Sequence, residues 1–179
     1  MTRRVLVAYD TVNNTTTDVA WHIGKELAAQ GDLVDVRRVG QVSILAGYDA
    51  AVVGCPVIIG KWTKDAVAFL DRCKDGLCGI PVALFTTCLA TLSADGREKV
   101  MANQITPLLG QFPGLKPVSV GIFTGVLDYD TYAEAARPRM REMNKARGAP
   151  AEGRHDYRDY NAMSAWVKDL RALPAWKGQ

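Results

Sequence analysis

The feature that most restricts the fold is an alternation, running from the first residues to the last, of short apolar runs with longer amphipathic ones. Val5-Leu6-Val7-Ala8-Tyr9 is an unbroken β-rich run, as expected of a strand buried on both faces. A polar stretch from Asp10 to Asp18 follows, and then Val19, Ile23 and Leu27 fall on one face of a helix that stops near Gly31. Leu33-Val34-Asp35-Val36-Arg37 alternates apolar with polar, which suits a strand nearer the sheet edge. Ala50-Ala51-Val52-Val53-Gly54 predicts a third strand, and Ala66, Val67, Phe69, Leu70 and Cys73 mark the inner face of the helix after it. Ile80-Pro81-Val82-Ala83-Leu84-Phe85 predicts a fourth, its proline near the start, where an N–H can be spared. Ser93 can cap a helix carrying Val100, Ile105 and Leu108, broken near Pro107. Val118 to Phe123 predicts the fifth strand, and Met163, Trp166, Val167 and Leu170 a last helix ending before Pro174.

Strands separated by helical stretches are joined by right-handed crossovers, so the sheet is parallel. The chain of 179 residues is long enough for one such domain, and the expectation is a single domain over 1–179. The fold class expected is α/β, a doubly wound five-stranded parallel sheet in the order 2-1-3-4-5 with helices on both faces. In sheets of this kind ligands sit beyond the carboxyl ends of the strands, where the order reverses beside the first strand. The loops after Tyr9, Gly54 and Phe85 are therefore the places to look for chemistry.

Composition removes several function classes. With 48% hydrophobic and 23% charged residues the chain can fill a core and is not a disordered segment. A formal net charge of +3 gives no reason to expect nucleic acid. The four cysteines form no C-x-x-C pair and the two histidines lie far apart, which leaves little for a disulfide scaffold or a metal site. The apolar opening ends at Asp10 without a cleavage signal, and Ile80 to Leu92, broken by threonines, is too short to cross a bilayer. A cytoplasmic location is expected.

The first loop, Asp10-Thr11-Val12-Asn13-Asn14-Thr15-Thr16-Thr17-Asp18, places four threonines and two asparagines in the seven positions from Thr11 to Thr17. Between a buried strand and a helix N-terminus, free backbone N–H groups and the positive end of the helix dipole make an anion site. The loop has no lysine or arginine, so a phosphate here would be held by neutral donors. Thr15 with Asp18 also fits a capping box, which would make the loop an ordinary turn. Neither G-x-x-x-x-G-K-[ST] nor G-x-G-x-x-G is present at this turn, which sets aside a P-loop and a nicotinamide dinucleotide fingerprint.

Val5 to Ala20 resembles the opening signature of flavodoxins, a strand followed by a hydroxyl-rich [ST]-x-[TD]-G-[NQ]-T loop that wraps the phosphate of FMN. The resemblance implies phosphate contacts from the side chains of Thr11, Asn13, Thr15 and Thr16 and from backbone N–H groups between Val12 and Thr16. Asn14 stands where the family has glycine, and asparagine tolerates positive φ better than most residues. Gly54-Cys55-Pro56-Val57-Ile58-Ile59-Gly60-Lys61-Trp62 resembles the family's G-[SA]-P-x-x-x-G segment, which implies ring contacts by Pro56, Val57, Ile58, Ile59 and Gly60 and a flanking Trp62. For Trp62 the alternative is packing on the following helix. Thr87, Cys88, Leu89 and Ala90 would flank the pyrimidine edge. Cys55 and Cys88 both end strands beside this site, as redox thiols or as small buried residues.

Gly121-Ile122-Phe123-Thr124-Gly125-Val126-Leu127-Asp128-Tyr129 and Asp156 to Trp166 resemble a flavodoxin-domain group that includes menaquinone-dependent protoporphyrinogen IX dehydrogenase. That resemblance implies an FMN oxidoreductase with a tetrapyrrole substrate and a quinone or other redox partner as acceptor; a flavodoxin-type electron carrier without its own substrate is the alternative. Between the two runs lies an insertion at about 129–158. From Arg137 to Arg158 it holds seven basic and three acidic residues, a net +4 against about −1 for the rest of the chain. It reads either as a solvated loop or as a docking segment for a membrane surface, an anionic substrate or an acidic partner. His22 is expected on the outer face of the first helix and His155 in the insertion. No catalytic side chain is nominated.

Overall fold

The computed structural model describes residues 2–177. Its sheet is built from β1 (Arg4–Tyr9), β2 (Leu33–Arg38), β3 (Ala50–Ile58), β5 (Val82–Thr87) and β6 (Ser119–Phe123), all parallel, in the order β2-β1-β3-β5-β6. This is the expected 2-1-3-4-5 order. β1 sits between its neighbours with Val7 opposite Val36 on one side and Val52 on the other. Alternation divides its side chains: Leu6 and Ala8 enter one core, Val5, Val7 and Tyr9 the other. The first core packs α2 (Lys64–Cys78) through Phe69, Leu70 and Leu77, together with Ile105 and Leu108 from the helical run that begins at Gly96. The second packs α1 (Thr15–Ala29) through Ile23 and Leu27 and α6 (Tyr160–Ala172) through Met163 and Val167.

Four expectations change in detail. First, the segment expected to leave the third strand as a loop continues as strand. Cys55 and Pro56 still pair with Thr86 and Thr87, and after Ile58 the chain turns back as β4 (Lys61–Trp62), antiparallel to β3. The turn residues Ile59 and Gly60 both have positive φ, 48° and 73°, the backbone of a tight hairpin that normally takes Asn-Gly. A β-branched residue pays in strain there, and Ile59 is almost wholly exposed.

Second, Ser93 does not cap the helix after β5. Its carbonyl accepts from the Gly96 N–H at 2.9 Å, closing a turn, and the helical run begins as α3 (Gly96–Val100). That run widens into a π-turn over Met101–Ile105 and ends as α4 (Thr106–Gln111). Pro107 accounts for the widening: it has no N–H for the carbonyl one turn back, and its ring crowds that carbonyl.

Third, His22 is not on an outer face. Its Nε2 lies 2.9 Å from Ser164 Oγ and 3.1 Å from the Tyr160 carbonyl, at the α1–α6 contact.

Fourth, the basic insertion is folded rather than a solvated loop. β7 (Val126–Asp128) pairs antiparallel with β8 (Arg154–Asp156), placing His155 in a strand, and α5 (Arg137–Lys145) lies between them in sequence. Leu127, Tyr129 and Ala149 form a small core of their own, packed by Leu89, Leu92, Tyr132 and Met140. Its arginines hold it together: Arg137 Nε donates to the Tyr132 carbonyl, Arg141 Nε to the Ala151 carbonyl, and Arg147 to the Asn144 side chain. Among the described residues no helix is long and apolar enough to cross a membrane.

Candidate functional site at the carboxyl ends of the strands

The loops after β1, β3 and β5 converge with the start of the insertion around a cavity of about 110 Å³. Val12, Asn13 and Thr15 line it from the first loop, Pro56, Val57 and Ile58 from the end of β3, and Thr87, Cys88 and Leu89 from the end of β5. These nine are among the residues singled out from the sequence. Gly125, Val126, Thr131 and Tyr132 complete the wall and were not foreseen. Tyr132 is held in place by Arg137 on its carbonyl and by the Tyr129 ring, whose centroid is 6.0 Å away at a steep angle. Burial raises the pKa of its phenol, so it presents a neutral hydroxyl.

The geometry of the first loop decides between an ordinary capped turn and an open helix end. Asn14 adopts the left-handed conformation, φ 58°, which explains why asparagine serves where a glycine would be usual. It is the N-cap residue of α1, yet no side chain caps the helix; the Thr15–Asp18 capping box does not form. Asp18 instead pairs with Arg158 at 2.7 Å. The same guanidinium donates to the Thr15 carbonyl at 3.1 Å and pairs with Asp156, and these carboxylates raise its pKa well above the usual arginine value. The loop, which has no basic residue of its own, is thus braced by a cation from 143 residues further along the chain, which loop composition alone could not disclose.

Other expected residues lie around the cavity rather than on its wall. Thr16 is fully buried and its hydroxyl meets that of Thr87 at 3.1 Å, tying the first loop to the third. Thr11 is buried, with its carbonyl accepting from Arg38 and its hydroxyl without a partner; it faces a neighbouring polar hollow of about 640 Å³. Ile59 and Gly60 form the hairpin turn, and Ala90 lies in a short helical turn beyond Leu89. Trp62, expected to flank the ring, does not line this cavity. It joins the α2 core with Ala66 and Phe69, because the hairpin turns its strand back across that face.

The cysteines read as buried packing rather than redox groups. Burial pushes the Cys55 thiol up to about 12 and raises Cys88 as well, so neither is poised as a thiolate.

Comparison with known proteins agrees with the topology. A family model described as Flavodoxin domain matches residues 6–154. The chain belongs to the flavodoxin-domain family. A search of curated proteins found no significant match. Among solved structures it is similar to flavodoxin 1 from Bacillus cereus, with TM-score 0.57 and 14% identity over 95% of this chain and 99% of that one. A Streptococcus pneumoniae TIGR4 flavodoxin gives TM-score 0.56 and 13% identity, covering 94% and 98%. An archaeal flavodoxin gives 0.50 and 16%, covering 82% and 99%. At these identities the likeness shows the architecture, while the family match spans the Asp10–Asp18 loop and most of the insertion.

Proposed function

We propose that this flavodoxin-domain chain binds one FMN non-covalently at the carboxyl ends of its strands and works as an oxidoreductase. The carrying observation is the uncapped start of α1 beside a cavity walled by three sheet loops. The Thr17 N–H is taken by the Asn14 carbonyl at 3.1 Å, the N–H groups before it have no intrahelical acceptor, and an anion is the natural partner for them and for the dipole. These features fit a phosphate monoester. The cavity is smaller than the 300–1,000 Å³ usual for small-molecule pockets, so a tricyclic ring would extend past its mouth, where Val12 and Ile58 are exposed.

When bound, FMN supplies the electron chemistry of its ring. The chain's residues bind, orient and shield. Asn13 and Thr15 would hold the phosphate end, and Arg158 keeps that loop in place through the Thr15 carbonyl. Pro56 to Ile58 and Thr87 to Leu89 bound the ring, and Tyr132 with Leu89 excludes water from the insertion side. The neutral Cys88 thiol adds no charge there.

The finer reading is a protoporphyrinogen dehydrogenase-like activity with a quinone or redox protein as acceptor. It is supported by the Gly121–Tyr129 resemblance and by Val126 and Tyr132 lying on the cavity wall. Absorbance of the purified chain tests the cofactor: a yellow protein releasing FMN on denaturation is expected, and a colourless protein that refuses added FMN overturns it. Binding should favour FMN over riboflavin by at least about tenfold, since a charge-assisted phosphate contact exceeds one ordinary hydrogen bond. Oxidation of protoporphyrinogen IX with a soluble quinone, measured on the FMN-loaded chain, tests the substrate, and no turnover leaves the carrier reading.

A further inference from the structure

A larger cleft, of about 750 Å³, lies on the other side of the β3–β4 hairpin, between α2 and the widened helix. Its volume is in the range of small-molecule sites. Val67, Leu108 and Phe112 supply an apolar wall, and Trp62 and Gln104 lie on the same wall. Both carry a buried polar atom with no partner: Trp62 Nε1, a donor only, and Gln104 Oε1, an acceptor. Buried polar atoms in folded proteins are nearly always paired, so one unmet donor and one unmet acceptor on a single cleft need an explanation. The π-turn carries Gln104, and such turns recur at functional sites.

Charge points the same way. Lys61 and Lys64 are exposed at the cleft, and among the described residues neither has a carboxylate within ion-pair distance. The acidic residue on that wall, Asp71, is already matched by Lys74 at 3.2 Å. The cleft thus combines two residues whose polar atoms are buried without partners, an apolar wall, and two exposed lysines with no carboxylate at ion-pair distance among the described residues.

We propose that this cleft is a second binding site, for a planar molecule that presents an amide edge to Trp62 and Gln104 and an anionic group to Lys61 and Lys64. An amide has a carbonyl for the indole N–H and an N–H for the glutamine carbonyl, whereas a ketone or carboxylate satisfies only the first. The proposal does not depend on the flavin reading. The two sites share the hairpin, with Val57 and Ile58 on one cavity and Gly60 to Trp62 on the other.

The test follows the indole N–H resonance of Trp62 in the isotope-labelled full chain, assigned by its loss in Trp62→Phe. Para-carbamoylbenzoate, para-acetylbenzoate and benzamide are titrated in turn, with and without FMN. Para-carbamoylbenzoate should give a saturable shift. Para-acetylbenzoate should bind about tenfold more weakly, because the buried glutamine carbonyl stays unmet. Benzamide should also bind more weakly and lose the salt dependence of the carboxylate probe. Gln104→Leu should remove the preference for the amide while the chain stays folded, and Lys64→Ala should remove the preference for the anion. Absence of a saturable shift, equal affinity for the amide and the ketone, or an unchanged preference in Gln104→Leu overturns the proposal and leaves solvent as the occupant. Because the titration is repeated without FMN, failure here is separate from failure of the cofactor reading.

Discussion

The Asp10–Asp18 loop and the 129–158 insertion face the same cavity and invert each other. The loop has no basic residue, yet it leaves a helix start uncapped and a threonine hydroxyl unpaired. The insertion is the most basic part of the chain, yet Arg137, Arg141, Arg147 and Arg158 give their donors to backbone carbonyls, an asparagine and carboxylates within the fold. What remains free for a ligand is decided by unmet donors rather than by formal charge. A segment without a basic residue can be the candidate anion site while a basic one is largely scaffold.

The largest effect that would break this contrast concerns the insertion's own core. Leu127→Ala should destabilise by about 2–5 kcal/mol, the cost of a large-to-small change at a fully buried site. Denaturant unfolding would reveal it, and a near-neutral result would return the segment to a solvated loop. Asn14→Ile places a β-branched side chain at φ 58° and should cost about 1–3 kcal/mol, with FMN affinity falling in parallel and Asn14→Gly retaining it. Fluorescence titration of FMN checks both variants. Arg158→Gln should cost about 1 kcal/mol, a charge-assisted contact discounted because its carboxylate partners face solvent. It should also weaken FMN more than riboflavin, since it frees the phosphate-side loop.

The same brace predicts an acid response. Hydrogen bonding from Arg158 lowers the pKa of the Asp156 carboxyl. The folded chain then holds fewer protons there than the unfolded chain, so stability is present above the unfolded value near pH 4 and is lost as pH falls through the lowered folded value. Thermal unfolding in that window should decline less steeply in Arg158→Gln. The smallest effect belongs to Arg139 and Lys145, both exposed on α5. Their replacement by alanine should change stability by no more than about 0.5 kcal/mol, and vesicle binding lost in that double variant would reopen the docking role.

The places where the sequence misled share a cause. Trp62 follows a strand-ending G-x-P-type segment, and local spacing left its side open. The hairpin, closed by an Ile59–Gly60 turn that propensity would not select, turned it into the α2 core. Tyr132 gave no signal because its nearest motif is a turn, and only the β7–β8 pairing brings it to the cavity. Ser93 had the chemistry of a cap, but its backbone carbonyl closes a turn and the helical run starts only at Gly96, past the reach of its hydroxyl's capping role. Thr15 and Asp18 had the spacing of a capping box, and Arg158 took Asp18 away.

What the sequence alone determined is what repeats locally. The alternation of apolar runs with amphipathic stretches dictates five parallel strands and the faces of α1, α2 and α6, because burial periodicity is a property of neighbouring residues. The density of hydroxyls after β1 likewise singles out that loop as a candidate anion site without reference to distant parts. Tertiary structure decided the rest: which donors are left over, which aromatic closes the cavity, and that a guanidinium beside β8 steadies a loop beside β1. Those outcomes depend on pairings between residues far apart in the chain, and hydrogen-bond satisfaction can be counted only after the whole chain has folded.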